Sequence, residues 1–300
     1  MPMKSARSER LAVLQVCLAG ICFGFLGIFA RQAYNLGLSV GELITFRFTL
    51  ATLLLALLLQ IFRPHWLILP RRQALIGLTL GFFGYAVFST LYFQALRSIP
   101  VPLAAMILYT FPTWVNLGGW LFLREPFTRI KLIGLTTATL GLVLLLATGG
   151  LSFTWNFETL AASASALAAA IIYAGYTLVS RKVQSEVRPL SSTLYVMAGA
   201  SCGLWTFHQP SLAHLQDAGW SLVFALFGLA FLCTILPLTL FLQGLQKMSS
   251  SKAAILVMIE PVTAAVAASC LLGESLSLWQ WLGAGFVLGG VVFDATAEQT

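Results

Sequence analysis

The sequence predicts an all-α integral membrane protein in which ten transmembrane helices form two inverted five-helix repeats. Hydrophobic residues make up 59% of the 300 positions and charged residues only 9%, whereas a soluble globular chain has about 25% charged residues. The apolar residues form ten long runs, and the sequence repeats itself at a constant spacing. The runs are about twice as long as a tilted barrel strand and do not alternate, which excludes a transmembrane β-barrel.

Ten runs are long enough to cross a bilayer, because a helix rises about 1.5 Å per residue and needs roughly 20 apolar residues to span the hydrocarbon core. In chain order, spans 1 to 10 are predicted at residues 11–30, 41–62, 73–95, 101–123, 130–148, 158–180, 190–207, 219–243, 252–272 and 279–296. Span 7 is the least apolar, because serine and threonine residues dilute it. Span 1 lacks the small-residue cleavage site of a signal peptide and is predicted to be retained.

The two halves of the chain, residues 1–149 and 150–300, are predicted to be duplicates. Pro261 lies 149 positions after Pro112, and the same offset pairs Glu274 with Glu125 and Gln243 with Gln94. Such matches are rare by chance, unlike matches among Leu and Ala. Each half has five spans, so the second half enters the membrane from the opposite side, as in many secondary transporters. The short segment 149–157 is the predicted seam.

The net charge of +7 reflects the orientation of the chain in the membrane. With the N-terminus inside, 14 of the 17 Lys and Arg residues lie in predicted cytoplasmic segments, only Arg31 and Arg97 fall outside, and Arg47 lies within a span. This agrees with the positive-inside rule, and both termini are predicted to be cytoplasmic. The cytoplasmic basic residues are Lys4, Arg7, Arg10, Arg63, Arg71, Arg72, Arg124, Arg129, Lys131, Arg181, Lys182, Arg188, Lys247 and Lys252. Nucleic acid is not predicted as a partner.

No enzymatic site, metal site or cofactor site is predicted. The three histidines, His65, His208 and His214, fall in predicted loops, and the five cysteines lie in spans without a CxxC pair. An intramembrane enzyme would need a nucleophile with a positioned base or a set of metal ligands. A channel would need a charged ring or a filter loop, and an ATP-driven pump a nucleotide-binding motif. A secondary transporter is therefore favoured, with a small-molecule substrate, the lipid bilayer and no obligate protein partner.

Aromatic and polar side chains recur at helical spacing along four spans and are the candidate substrate-binding residues. Polar groups inside a bilayer need partners, so these stripes are expected to face protein or water. Tyrosine rings could bind apolar groups or cations, and their hydroxyls could bind carboxylates or amines. Ordinary helix packing is the alternative for each of them. The candidates are Tyr85, Ser89 and Tyr92 in span 3, Tyr109, Thr113 and Asn116 in span 4, Tyr173 and Tyr176 in span 6, and Gln243 in span 8.

Three prolines and one arginine within spans are candidate structural or gating residues. Pro112, Pro237 and Pro261 each remove a backbone hydrogen bond and can kink a helix. Pro261 is expected to leave the Val257 carbonyl without its helical donor. The side chain of Arg47 could either act in function or extend to the membrane interface.

Glu260 is the principal functional candidate, because it lies about 12 Å along the helix from Lys252 and near the middle of a ~30 Å core. An ionised carboxylate there is costly unless it is paired, hydrated or protonated. Three interpretations stay open. Glu260 could bind a substrate ammonium, could take up a proton and couple export to the gradient, or could hold a hydrogen bond between helices.

The whole chain resembles the EamA-type family of the drug/metabolite transporter superfamily. The resemblance rests on the ten spans, on the repeat ends Pro112 to Glu125 and Pro261 to Glu274, on TFRFTLA in span 2, and on Glu260-Pro261-Val262 in span 9. The pattern departs in the second half, where Met197 stands near the position expected to match Arg47.

The resemblance implies a multi-pass transporter of the bacterial cytoplasmic (inner) membrane, with a cavity lined mainly by spans 1, 3, 4, 6, 8 and 9. It also implies export of small metabolites, most of all amino acids, including aromatic or other apolar ones. Export of drugs or organic cations is the alternative. Substrates vary within the family, so the fold does not fix the substrate.

Overall fold

The computed structural model describes residues 6–126, 128–147, 156–184, 187–213 and 219–296. Within these ranges every regular element is a helix. The predicted seam at 149–157 lies outside the described residues except for its last two positions, and Lys4 and His214 also lie outside them. The predicted all-α membrane fold is confirmed.

The helices follow the ten predicted spans, and several spans consist of more than one helical segment. In chain order the spans are Ala6–Gly24 with Leu26–Asn35; Val40–Phe62; Arg71–Gly81 with Phe82–Val87 and Phe88–Ala95; Val101–Leu108 with Phe111–Leu123; Arg129–Ala147; Phe157–Val183; Pro189–His208; Trp220–Ala230 with Phe231–Ile235 and Leu236–Leu245; Ser250–Leu256 with Ile259–Leu272; and Leu278–Thr296. A 3₁₀ turn at Pro64–Trp66 follows span 2. His208, predicted in a loop, is the last residue of span 7.

Nine described helices are long and apolar enough to cross a membrane, and span 7 is the one predicted span that is not among them. Its polar side chains face neighbouring spans. Thr193 Oγ1 accepts from Thr239 Oγ1 of span 8 at 3.2 Å, and Ser201 Oγ shares a hydrogen bond with Thr49 Oγ1 of span 2 at 2.8 Å. Because polar groups in a bilayer can be satisfied by neighbouring helices, span 7 tolerates a composition that a lipid-facing helix does not.

The packing of the spans is symmetric between the two halves. Span 1 packs on spans 8 and 9, and in the same way span 6 packs on spans 3 and 4. The contact of span 3 with span 7 is matched by that of span 8 with span 2, while spans 5 and 10 pack on each other. Gly141 lies against Gly283, and their counterparts Gly290 and Gly134 lie against each other. Each contact made by a span of one half is therefore repeated by the equivalent span of the other half. Because each half has an odd number of spans, the two halves form an inverted repeat.

The irregular segments of the helices are also repeated. Span 4 is interrupted at residues 109–110 and span 9 at residues 257–258, in both cases just before a proline. Spans 3 and 8 contain π-helical segments at Phe82–Val87 and Phe231–Ile235, which begin 149 residues apart. Pro237 follows the second segment, but Phe88 stands at the matching position of the first. The π-helical turns therefore belong to the repeat and do not depend on a proline.

The ten spans present two opposite membrane faces. The Glu125 face is the side at which span 4 ends and span 9 begins, and it is the face predicted to be cytoplasmic. The Glu274 face is the side at which span 9 ends and span 4 begins.

Candidate functional site

A cavity of about 230 Å³ lies at the level of the interruptions in spans 4 and 9. Of its fifteen lining residues, nine are aromatic and only Arg47 and Glu260 are charged. The lining comprises Phe23, Leu26, Ile44, Arg47, Phe48, Tyr85, Phe88, Ser89, Tyr92, Phe93, Leu108, Tyr109, Phe111, Tyr173 and Glu260. A largely apolar pocket with a few convergent polar groups is the usual form of a small-molecule site.

Glu260 stands in the first turn of the second helical segment of span 9, and its side chain is half-buried at the cavity wall. Span 1 approaches this turn closely, since a Cβ atom added to Gly24 would lie 2.9 Å from the Glu260 carbonyl oxygen. The Glu260 amide donates to the Val257 carbonyl at 3.0 Å. The expectation that Pro261 leaves this carbonyl without a donor is therefore wrong, because the turn before the proline tightens to an i to i−3 hydrogen bond.

Arg47 is buried, with 8% of its surface exposed. Its Nε donates to Thr234 Oγ1 at 2.6 Å and its Nη2 to the Cys233 carbonyl at 3.0 Å. Cys233 precedes Pro237 by four residues, so in an α-helix the missing proline N–H would leave this carbonyl unpaired. The guanidinium also lies 5.0 Å from the centre of the Phe48 ring. Arg47 points into the protein and does not extend to the interface.

Tyrosine and phenylalanine rings form one continuous wall of the cavity. Tyr173 stacks on Phe88 with ring centres 5.1 Å apart and meets Phe111 at 4.8 Å. Tyr85 contacts both Tyr173 and Tyr176, at 6.1 Å and 4.8 Å. Such edge and stacked contacts hold the rings in place. Tyr176 lies behind Tyr85 and does not line the cavity.

Six of the ten predicted substrate-binding residues line the cavity, together with Arg47, and the other four lie elsewhere. Thr113 is exposed, whereas Asn116 is buried and donates to the Pro112 carbonyl at 2.9 Å. Gln243 accepts from Gln15 Nε2 at 2.9 Å. The interruption at residues 109–110 explains the first two cases, because it breaks the helical register that would otherwise place them on one face with Tyr109. Pro112 and Pro261 are buried beside the interruptions of their spans.

The apolar part of the cavity lining is not among the residues predicted from the sequence. Phe23, Phe48, Phe88, Phe93 and Phe111 are all cavity residues. Nothing in the sequence distinguishes them from the other phenylalanines that face lipid or pack between helices. Phe48, Phe88, Phe93 and Phe111 lie within a turn of a predicted site residue, whereas Phe23 has no such neighbour in span 1.

The cavity adjoins a vestibule on the Glu274 face. This vestibule has a volume of about 800 Å³, is lined by the ends of spans 3 and 7 and by the connection between spans 1 and 2, and shares Phe93 with the cavity. A recess of about 640 Å³ on the Glu125 face shares no lining residue with the cavity. Residues 250–258 of span 9 are nearly all buried near this recess, so the site is closed toward the Glu125 face.

Hydrogen bonds at the start of span 9 hold the Glu125 face closed. Glu125 Oε1 accepts from the Ser250 amide at 2.8 Å and from Ser250 Oγ at 2.6 Å, and Oε2 accepts from the Ser251 amide at 3.1 Å and Ser251 Oγ at 2.6 Å. Burial by itself raises the pKa of the Glu125 carboxyl, but these hydrogen bonds outweigh it and hold the pKa below its ordinary value. Beside them, Lys252 Nζ pairs with Glu9 Oε1 at 3.0 Å.

The chain is similar to known proteins in both sequence and structure. The model of the EamA-like transporter family matches residues 10–147 and 160–294. One solved protein structure matches with a TM-score of 0.80 at 18% identity, covering 94% of this chain and 95% of the other, which supports the fold.

Curated relatives are similar over most of their length. The uncharacterized transporter YcbK of Bacillus subtilis is 25% identical, covering 96% of this chain and 94% of that protein. The uncharacterized inner membrane transporter YicL of Salmonella typhimurium is 25% identical over 95% of both chains. The threonine/homoserine exporter RhtA of Salmonella typhimurium is 28% identical, covering 77% of this chain and 73% of that protein.

Proposed function

Because the chain belongs to the EamA-like transporter family, we propose that it is a secondary transporter that exports amino acids by alternating access. The exporter RhtA supports this substrate class at 28% identity. The proposed orientation places the Glu125 face in the cytoplasm, in agreement with the basic residues at that face. Inverted repeats support alternating access, since two related halves can exchange their conformations around one central site.

The half-buried carboxylate of Glu260 in an aromatic cavity is the observation that carries the proposal. Among the described residues no basic side chain lies within 4 Å of it. An intramembrane acid without a salt-bridge partner is a binding or proton-transfer candidate. A substrate ammonium would pair with the carboxylate and contact the ring faces of Tyr109 or Tyr173, which attract cations. The aromatic wall favours apolar side chains.

An exporter of drugs or organic cations is the second candidate. The same carboxylate and the same ring faces would bind an organic cation. The two candidate substrate classes differ in the groups that accompany the positive charge, and a direct transport assay distinguishes them.

The test is counterflow in proteoliposomes with a panel of amino acids, polyamines and organic cations. We expect preloaded, unlabelled apolar amino acids to drive uptake of the labelled species, with no effect in liposomes without protein. Exchange of organic cations but of no amino acid would overturn the substrate class, and exchange of none of these compounds would overturn the transport proposal for this panel.

The role of Glu260 is tested in the same assay by Glu260→Gln, which keeps size and hydrogen bonding but removes the charge. We expect exchange to fall at least tenfold. Glu274→Gln, the same change at an exposed acid, is the matched control. Normal exchange with unchanged pH dependence in Glu260→Gln would leave Glu260 a structural role only.

A further inference from the structure

We propose that Arg47 binds the carboxylate of the substrate, so that this site selects compounds carrying a free carboxylate together with an ammonium. The inference rests on the proposed function and deepens it. It assigns a specificity-determining role to a residue that the sequence marked only as structural or gating.

The guanidinium of Arg47 has one nitrogen available to a ligand. Nε and Nη2 donate to Thr234 and Cys233, while Nη1 has no hydrogen-bond partner in the described part of the chain. Nη1 is not fully enclosed by protein atoms, and Arg47 lines the cavity. An arginine held by two hydrogen bonds with a third nitrogen facing a cavity is preorganised to bind a carboxylate oxygen.

The electrostatics of the cavity favour a ligand with both charges. Arg47 and Glu260 line the same cavity, yet within the described ranges they form no ion pair at 4 Å or less. Two opposite charges held apart in a site of low dielectric do not neutralise each other by direct contact. A zwitterion placed between them satisfies both. An organic cation would satisfy Glu260 alone and leave the arginine uncompensated.

The repeat supports a ligand role over an architectural one. At the 149-residue offset, Val196 matches Arg47 and Phe111 matches Glu260. Both counterparts are buried apolar residues in the symmetric packing. At each of the two positions one half therefore forms its part of the fold without a charge. The two charges occur once each, on opposite halves, and both line one cavity.

The experiment measures counterflow with three matched sets of probes: leucine, phenylalanine and threonine, each with its amide and its decarboxylated amine. We expect the wild-type protein to exchange at least one amino acid at least tenfold better than its amide and amine. In Arg47→Gln we expect the KM for that amino acid to rise at least tenfold while the weak exchange of the amide and amine stays within twofold. Arg47→Lys, which keeps a positive charge, should restore part of the preference.

Arg31→Gln, the same change at an exposed arginine that does not line the cavity, is the matched control. It should retain the preference for the free carboxylate. Equal losses for acid, amide and amine in Arg47→Gln would show a structural role and overturn the inference, as would a wild-type protein that exchanges the amines as well as the acids. Either result leaves transport itself intact, whereas absence of any exchange contradicts the proposed function instead.

Discussion

Glu125 and Glu274 occupy equivalent positions in the two halves but close their faces of the membrane very differently. Glu125 accepts four hydrogen bonds from the start of span 9. Glu274 does not contact the start of span 4 and instead pairs with Arg31 at 2.7 Å, with both side chains 55% exposed. Residues 250–258 are nearly all buried, whereas the matching residues 101–109 are mostly partly exposed. One face is closed and the other is open.

The difference between the two faces follows from the residues available to pair with each acid. Ser250 and Ser251 offer two amides and two hydroxyls to Glu125. Their counterparts are Val101, which has only an amide, and Pro102, which has no donor. A carboxylate at a helix N-terminus is stabilised by charge-assisted hydrogen bonds, so four donors stabilise closure more than one. A few residues at the helix ends can therefore set the preferred conformation of an inverted repeat.

Removing the charge of Glu125 should have the largest effect on the difference in closure between the two faces. In Glu125→Gln the new –NH2 group is itself a donor, so it cannot accept the hydrogen bonds that one carboxylate oxygen accepts now. The loss of hydrogen bonds to a charged group costs roughly 1.5–3 kcal/mol. With about 1.4 kcal/mol per factor of ten, the labelling rate of a cysteine at Ala254 in a cysteine-free background should rise about tenfold or more.

A reporter at Ala105, the counterpart of Ala254, provides the control for that measurement. Ala105 is already partly exposed, so its labelling in detergent should be faster than that of Ala254 in the otherwise unchanged protein. An Ala254 reporter that stays unreactive in Glu125→Gln would show that other contacts close this face.

Acidification should remove the same hydrogen bonds by protonating Glu125. Its pKa in the folded protein is below the ordinary value of 4.5, so its contribution to stability is fully present above pH 4.5 and is lost as the pH falls through the lowered pKa. The melting temperature of the wild-type protein should therefore exceed that of Glu125→Gln by a constant amount above pH 4.5, and the gap should narrow below it. A gap that is independent of pH down to 3 would contradict the assignment.

A methyl group at Gly119 should weaken the closure moderately. An added Cβ would lie 2.8 Å from Glu125 Oε2 and 3.1 Å from Ser251 Oγ, so the carboxylate must shift. Ala268, the counterpart of Gly119, already carries this atom beside Glu274. We expect Gly119→Ala to raise Ala254 labelling severalfold. Gly175→Ala, where an added Cβ meets nothing within 4 Å, should leave the rate unchanged.

Breaking the pair on the open face should have the smallest effect. An exposed ion pair contributes about 0–1 kcal/mol, so Glu274→Gln should change Ala105 and Ala254 labelling by less than about fivefold. High salt should have a similarly small effect on the wild-type protein. A change as large as that of Glu125→Gln would show that the two faces are controlled in the same way.

The order of the spans, the repeat and the choice of Glu260 as the principal candidate follow from the sequence by itself. Apolar runs of bilayer length can form only helices of that length in a membrane. A constant offset between prolines and acids such as Pro112 and Pro261 survives in an apolar background only if the whole unit is duplicated. An acid such as Glu260 in a long apolar run is costly enough to stand out.

Only the tertiary structure decided which of the candidates meet. The interruption at residues 109–110 and the π-helical segments change the helical register, so equal spacing along the sequence did not keep Thr113 and Asn116 at the cavity with Tyr109. Arg47 turns inward because Thr234 and the Cys233 carbonyl, some 190 residues away along the chain, accept its hydrogen bonds. Periodicity describes one regular helix at a time, whereas contacts between distant helices depend on where each helix breaks and what its neighbour leaves unpaired.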